Sequence, residues 1–413
     1  MKANKDDIQG TRHSKEGAIL VTGATGFLGS HLMVELLRRG YPVIAVCRPK
    51  GGVRAADRVS RLLKWFHMKG EDIRRLEVVE ALLDQPRLGL GNAPYTHLLE
   101  KTDEIFHCAA DTSFSESKRV QVETVNVKGL RTILDMALAG KCRFFHYLST
   151  AYVAGRKTGH CPEAFVATSD FTNVYEETKY LGERMVLEAC AQGGLRTNIY
   201  RPSIVYGDSM TGKTLRFNAL YYPVKTAVYF RDLFLEDLLK NEGKNAKKMG
   251  VRVENNGTVH LPIRIEKAES GTLNVIPVDF FVAACMAIME ASLDGDVFHI
   301  VSKDPKRLDD LVAYTQRFFH ITGIRAVEKG QLRETDRNAF EILVERYIDI
   351  YKPYMQDTRV FACEKADAIL NRKKIHCPGF DYEIFKRCMT YAVDVDWGNR
   401  LYEEGVLVRG RLR

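Results

Sequence analysis

The sequence predicts an α/β fold, a doubly wound parallel sheet followed by a smaller, mostly helical C-terminal portion, and three observations predict it. Apolar runs of strand length alternate with longer stretches of helical period through the first half of the chain. The runs are continuously apolar more than alternating, the mark of parallel strands buried on both faces. A glycine-bearing turn joins the first run directly to the first helical stretch.

Ala18–Val21 is the first predicted strand and His31–Arg39 the helix behind it. Val43–Val46, Glu104–His107 and Phe144–Leu148 are further strands, with helices predicted over Val120–Ala139 and Thr178–Gln192. Strand, helix, strand in repetition requires right-handed crossovers and therefore a parallel sheet. After Gly207 the rhythm changes. Thr211–Glu242 is rich in aromatics (Phe217, Tyr221, Tyr222, Tyr229, Phe230, Phe234), and Lys240–Lys248 reads as an exposed loop. Asn274–Glu290 returns to strand then helix, Val297–Val301 is one more strand, and the remainder from Leu308 reads as mostly helical.

Composition bounds the function without naming it. A chain of 413 residues with 45% apolar and 28% charged residues has the profile of an ordinary globular protein. The net charge of +8 is spread along the chain, which favours anionic ligands or an acidic membrane surface. Zinc spacing, a basic helix and an aromatic RNA-binding motif are all missing, so nucleic acid is not expected as a partner. Nine cysteines without a CxxC pair suggest free thiols in a reducing compartment. Met1–Glu16 is too polar for a signal peptide, and no stretch approaches the roughly 18 apolar residues of a membrane span. The expected location is cytoplasmic.

Val21-Thr22-Gly23-Ala24-Thr25-Gly26-Phe27-Leu28-Gly29 lies between the first strand and the first helix. Its glycines allow a tight turn, close approach of backbone to a pyrophosphate, and close packing of helix on strand. The helix start then offers free N–H groups and its positive dipole end to phosphate. This is the pattern of a Rossmann dinucleotide site. The second strand ends in Val46-Cys47-Arg48-Pro49-Lys50, where an NAD-specific protein usually carries Asp or Glu for the ribose 2′-hydroxyl. A carboxylate repels a 2′-phosphate, whereas Arg48 can pair with it bidentately. Lys50, Arg54 and Arg58 either extend that positive surface or are solvated cations. NADP(H) is the expected cofactor. The expected domains are an NADP-binding Rossmann domain over 17–210 and a substrate-binding and C-terminal helical region over 211–413, with the strand and helix within 272–301 returning to the first.

Tyr175-Glu176-Glu177-Thr178-Lys179 places a phenol and an ammonium four residues apart on one helix face. A phenol is a poor proton donor at neutral pH, and a nearby ammonium is expected to lower its pKa. Leu148-Ser149-Thr150-Ala151-Tyr152-Val153 follows an apolar strand and delivers hydroxyls to the C-terminal sheet edge, where ligands bind in such folds. Thr150 is suited to share oxyanion charge with Tyr175; Ser149 competes for that role, and whichever hydroxyl is not used is structural. Asn126, on the helix after Phe106-His107-Cys108-Ala109-Ala110, either fixes backbone or water near the lysine or is a buried amide tying strand to helix. His107 and Cys108 sit at a strand end beside small residues, where backbone packing on the cofactor accounts for them better than a Cys/His nucleophile.

These stretches, with Arg201-Pro202-Ser203-Ile204-Val205-Tyr206-Gly207-Asp208-Ser209 and the following Thr211-Gly212, resemble the extended short-chain dehydrogenase/reductases. Within them the chain is most similar to the fatty acyl-CoA reductase and thioester reductase branch, the male-sterility type. It departs from that pattern at Glu80-Ala81-Leu82-Leu83-Asp84, where members commonly have Gly-Asp-Leu. The resemblance implies hydride transfer from NADPH to an acyl thioester on CoA or an acyl carrier, giving an aldehyde or, after a second reduction, an alcohol. Tyr175 would donate the proton, Lys179 tune it and Thr150 orient the carbonyl, with Ser149 and Asn126 beside them. Cofactor contacts are expected from Gly23, Thr25, Gly26, Phe27, Leu28 and Gly29; from Arg48, Lys50 and Arg58; from Cys108, Ala109 and Ala110; and from Tyr175, Lys179, Pro202, Ser203 and Val205.

Thr211–Phe234 is the candidate acyl-chain pocket, the alternative being an aromatic core under a C-terminal helix. Lys240–Lys248 and Arg409–Arg413 are candidates to touch anionic lipid or CoA phosphates, or else are a solvated loop and a frayed end. The expected partners are a small-molecule acyl substrate, at most a peripheral membrane surface, and a second copy of the chain, since dimers are common in the superfamily. Three other readings stay open: a nucleotide-sugar epimerase or dehydratase, a sterol- or hydroxy-acid-type dehydrogenase, and a non-catalytic NADP-binding sensor. Arg48 weighs against the first, and the intact Thr150, Tyr175 and Lys179 set weighs against the last.

Overall fold

The computed structural model describes residues 17–292 and 294–408. The polar start Met1–Glu16 and the basic tail Arg409–Arg413 lie outside the described residues. The first half of the chain runs β1 (Ala18–Thr22), α1 (Phe27–Arg38), β2 (Val43–Cys47), α2 (Ala55–Trp65), β3 (Leu76–Glu80), β4 (Thr102–His107), α3 (Gly129–Ala139), β5 (Phe144–Leu148), α4 (Val174–Gly193) and β6 (Arg196–Pro202). Later come β7 (Ile204–Tyr206), α5 (Tyr221–Lys240), α6 (Lys244–Lys248), β8 (Val259–Lys267), β9 (Val275–Pro277), α7 (Val278–Ala291) and β10 (Gly295–Ile300). The chain continues through α8 (Leu308–Phe319), β11 (Ile321–Glu328), α9 (Ala339–Ile348) and α10 (Lys352–Met355).

Seven strands form one parallel sheet in the order β10-β6-β5-β4-β1-β2-β3. The predicted parallel fold is therefore the observed one. The chain enters at β1, walks outward to β3, then crosses back to β4 on the other side of β1. Ligands in such sheets bind at the carboxyl ends of the strands where the order reverses. Here that point lies between Thr22 and His107, which stand side by side in register.

Successive β1 residues supply opposite cores. Ile19 and Val21 pack with α1 and α7, while Leu20 packs with α3 and α4. Helix α7 is buried along nearly its whole length, which its almost unbroken apolar sequence anticipates. The strand β9 pairs in parallel with β7, and β10 with β6, so residues 275–300 extend the same layered body.

Two sequence expectations change and a third is refined. The helix expected at Thr178 starts earlier, at Val174, because Asn173 caps it by accepting a bond from the Glu176 N–H at 3.1 Å. Lys240–Lys248 is not a loop throughout: α6 forms within it, Ala246 is fully buried, and Asp237 accepts from the N–H groups of Asn245 and Ala246 at 2.9 Å each. The region from Leu308 is mostly helical, as expected, but not helical throughout: after α8 the strand β11 pairs in parallel with β8 in a separate three-stranded sheet. That sheet, with α5, α8 and α9, encloses a second apolar core around Phe230, Phe234 and Phe340. Among the described residues no helix is long and apolar enough to cross a membrane.

Candidate active site

The glycine turn after β1 is forced by close packing. Gly23 has φ +66°, and a Cβ there would lie 2.7 Å from the Ala109 nitrogen. A Cβ at Gly29 would lie 2.4 Å from the Gly23 oxygen. Thr22 Oγ1 meets His107 Nδ1 at 3.1 Å and accepts from the Ala109 N–H at 3.2 Å, locking the end of β1 to the end of β4. Helix α1 then begins with neither a capping side chain nor an acidic residue in its first turn. Its free N–H groups and positive dipole end fit a dinucleotide pyrophosphate. Burial holds the His107 imidazole down to about 3 and pushes the Cys108 thiol up to about 12. Both are neutral at pH 7, which leaves neither a thiolate nor an imidazolium there.

At the end of β2, Arg48 is exposed. Arg58 donates to the Arg48 carbonyl at 2.6 Å and to Thr25 Oγ1 at 2.7 Å, latching the glycine turn to β2. Lys50 is half-buried and its ammonium is pulled down by burial, then by Arg58, Arg48 and Arg216. Among the described residues Arg48, Lys50 and Arg58 have no carboxylate in ion-pair range, whereas Arg54 pairs with Asp57 at 3.2 Å in the open. The neighbouring carboxylate, Glu80 at the end of β3, instead accepts from the Ala55 N–H at the start of α2. A positive, unneutralised edge is what a 2′-phosphate needs.

Tyr175 and Lys179 stand in the first turns of α4, and Tyr175 projects towards Thr150. Contrary to the sequence expectation, the Tyr175 phenol is held above its ordinary value: burial raises it, Glu176 adds to that, and the hydrogen bond with Thr150 only partly offsets them. Lys179 does not point at the phenol. Its ammonium donates to the Leu148 carbonyl at 2.5 Å and lies over the Tyr147 ring, 4.6 Å from the centroid. Burial draws it down to about 8.

The two candidate hydroxyls part company. Ser149 Oγ donates to Glu183 at 2.6 Å, and Glu183 is held in turn by buried Arg201 at 2.5 Å. Thr150 has its hydroxyl beside Tyr175, where it also accepts from the Tyr152 N–H at 3.3 Å and donates to the Pro202 carbonyl at a long 3.5 Å. Asn126 lies in a π-helical turn, Thr124–Lys128, ahead of α3. Its amide accepts from the Asp111 N–H at 2.8 Å and donates to the Asp111 carbonyl and to Thr178 Oγ1, so it ties the loop after β4 to α4.

A cavity of about 330 Å³ joins these groups. Gly26, Phe27, Leu28, Gly29, Cys108 and Ala110 line its cofactor side, and Ser149, Thr150, Tyr175 and Lys179 its middle. Pro202, Ser203 and Val205 also line it, while Gly23, Thr25, Arg48, Lys50, Arg58, Ala109 and Asn126 do not. The inner end is walled by Val224 and Ala227 of α5, Ile263 and Ile265 of β8, Ile324 of β11 and Val344 of α9. Thr226 and Thr315 are there too, but their hydroxyls bond their own helices at 2.9 and 2.7 Å. The aromatic residues of 211–234 do not line the cavity, a correction to the expected pocket. Phe230 and Phe234 sit in the second core, and α5 turns its aliphatic side inward.

Sequence reading missed Phe114, Arg216, Tyr351 and Tyr354, all on the cavity wall. The Phe114 ring lies 6.0 Å from that of Tyr175 and 5.5 Å from that of Tyr354. Tyr354 donates to Glu176 at 2.7 Å and so fastens α10 to the start of α4. No local pattern marks these residues; chain folding alone brings them together.

Residues 21–285 match the family described as male sterility protein. A linear gramicidin synthase of Brevibacillus parabrevis is 26% identical over 395 residues, 91% of this chain and 7% of that protein. The L-2-aminoadipate reductase of Penicillium chrysogenum, in its large subunit, is 28% identical over 221 residues, 49% of this chain and 16% of that one. The chain thus spans under a third of the length of such relatives. In fold it is similar to the terminal R domain from the myxalamid PKS-NRPS biosynthetic pathway, with TM-score 0.72 at 24% identity over 92% of this chain and 91% of that one. The UDP-glucuronic acid 4-epimerase of Bacillus cereus, in complex with NAD, gives TM-score 0.62 at 17% identity over 92% and 97%. With this match over most of its length and a sheet of this topology, the chain belongs to the male sterility protein family of nicotinamide-dinucleotide-binding oxidoreductases, within the extended short-chain dehydrogenase/reductases.

Proposed function

We propose that the chain reduces an acyl thioester, carried on CoA or on a carrier protein, with NADPH as the reductant. One observation carries the reading: a single cavity starts at the glycine turn, passes Thr150, Tyr175 and Lys179, and ends among aliphatic side chains, where the two threonine hydroxyls are already bonded. An acyl chain fits such an end. A nucleotide sugar would find few partners for its hydroxyls there. Relatives named as peptide synthetases and as an aldehyde reductase support a thioester or aldehyde carbonyl as the reacting group.

The glycine turn and the start of α1 would hold the pyrophosphate, and Arg48 with Lys50 and Arg58 the 2′-phosphate. Bound there, the nicotinamide supplies a hydride to the carbonyl carbon. Thr150 and Tyr175 hydrogen-bond the carbonyl oxygen and stabilise the charge that develops on it. Because burial holds the phenol protonated, Tyr175 is a donor at neutral pH, and it passes its proton to that oxygen; the thiohemiacetal so formed breaks its C–S bond, releasing the carrier thiol and the aldehyde. Lys179, charged below about 8 and donating to the Leu148 carbonyl, would hold the nicotinamide ribose beside the reacting groups. Ser149, Glu183 and Arg201 hold the strand end that presents Thr150.

The test is oxidation of NADPH by the purified chain with a long-chain acyl-CoA, the matching aldehyde and a nucleotide sugar, run against Tyr175→Phe and with NADH. Turnover of the acyl-CoA that requires NADPH and disappears in Tyr175→Phe is expected; turnover of the sugar alone would overturn the reading. Thr150→Ala should lower kcat by about 10²–10³, as for an oxyanion donor, and cost about 1 kcal/mol of stability as the turn after β5 loses its cap. Ser149→Ala should instead destabilise the fold by about 1–3 kcal/mol, measured by urea denaturation, because Glu183 loses a buried donor.

The pH dependence follows from Lys179. Its folded value is lowered to about 8, so the required ammonium is present below that pH and lost above it. kcat/KM should fall as pH rises through this range, and Lys179→Arg should move the fall upward. A profile flat to the alkaline limit of stability would exclude the role given to Lys179.

A further inference from the structure

The cations along the cofactor edge outnumber what one 2′-phosphate requires. Arg48, Lys50 and Arg58 stand there without a carboxylate partner among the described residues, and Arg216 continues the row. Arg216 lies in the loop between β7 and α5, exposed and on the wall of the cavity. Its guanidinium reaches across the cavity mouth to the loop after β4, donating to Thr112 Oγ1 at 3.2 Å. No ion pair holds it among the described residues.

The placement is built into the fold. Fully buried Thr214 accepts from the Arg216 N–H at 3.1 Å and donates to the Arg216 carbonyl at 3.0 Å, fixing the backbone from which the side chain springs. From there its charge acts in two directions, on Lys50 towards the adenosine end and on Tyr175 towards the reacting end. The inner cavity is aliphatic and needs no counter-charge. A guanidinium fork kept free of carboxylates, at the seam between a dinucleotide edge and an apolar pocket, matches a phosphate.

We infer that Arg216 is a phosphate-binding residue at the cavity mouth, separate from the 2′-phosphate position at Arg48. Two ligands can bring that phosphate: the dinucleotide, through its pyrophosphate, or the thioester, through the phosphates of its carrier. The second source rests on the thioester reading proposed above; the first does not.

The experiment uses the full chain and its Arg216→Gln and Arg216→Lys variants. The Kd of NADPH is measured by fluorescence titration, and KM is measured for dodecanoyl-CoA and for S-dodecanoyl-N-acetylcysteamine, a thioester without phosphate. Arg216→Gln is expected to weaken a phosphate-bearing ligand about tenfold and leave KM for the phosphate-free thioester unchanged, with partial recovery in Arg216→Lys. A rise in the NADPH Kd assigns the pyrophosphate, and a rise in KM for dodecanoyl-CoA alone assigns the carrier. Unchanged values for both ligands overturn the inference. So does an equal rise for both thioesters with NADPH unaffected, which would make Arg216 a tie to Thr112 and nothing more. If the wild type reduces neither thioester, the proposed reaction fails, and the NADPH titration alone decides the role of Arg216.

Discussion

The contact between the turn after β1 and the end of β4 is the constraint on which the rest of the site depends. Gly23 approaches Ala109 so closely that no side chain fits between them, and Thr22 bonds both His107 and the Ala109 N–H. This contact aims the start of α1 into the crevice where the strand order reverses. It also sets the loop after β4, which carries Phe114 to the Tyr175 ring and Thr112 to Arg216. A larger residue at position 23 would separate cofactor edge and reacting groups together.

Burial does the chemical tuning. The phenol of Tyr175 is raised and the ammonium of Lys179 lowered for the same reason, that each charged form loses water. The lysine keeps its charge below about 8 with help from a carbonyl and an aromatic face, and Glu183 one turn along α4 adds to that support. Glu183 is itself buried and bound to Arg201, a pair whose removal on one side would leave a desolvated charge. The cost of holding these charges is met by the packing around them, which is why the site sits between two apolar cores.

Much of this was legible in the sequence. Strands buried on both faces announce themselves as apolar runs, and the glycine turn, the Ser-Thr pair and the Tyr-Lys spacing are local patterns. Arg48 could be placed because it follows a strand whose end is predictable. The remainder depends on distant partners. Strand β11 pairs with β8 about 60 residues earlier, and its run Ile321–Glu328 carries Gly323 and Arg325 in place of a clean alternation. Helix α5 is apolar on two sides, so its period does not say that the aromatics face the core and the aliphatics the cavity. The four-residue spacing put Tyr175 and Lys179 on one face, but burial sent the ammonium to Leu148 and not to the phenol. Phe114 meets the rings of both Tyr175 and Tyr354, which lie far apart in the chain, beyond the reach of any local pattern.

The central claim, hydride delivery to a thioester carbonyl in the cavity at Thr150 and Tyr175, is tested most directly by isotope transfer. NADPH deuterated at the reactive nicotinamide carbon is incubated with the chain and a long-chain acyl-CoA, and the products are examined by mass spectrometry. The account predicts deuterium on the former carbonyl carbon of the aldehyde or alcohol, in wild type and not in Tyr175→Phe. Thioester consumed with no deuterium at that carbon would contradict it.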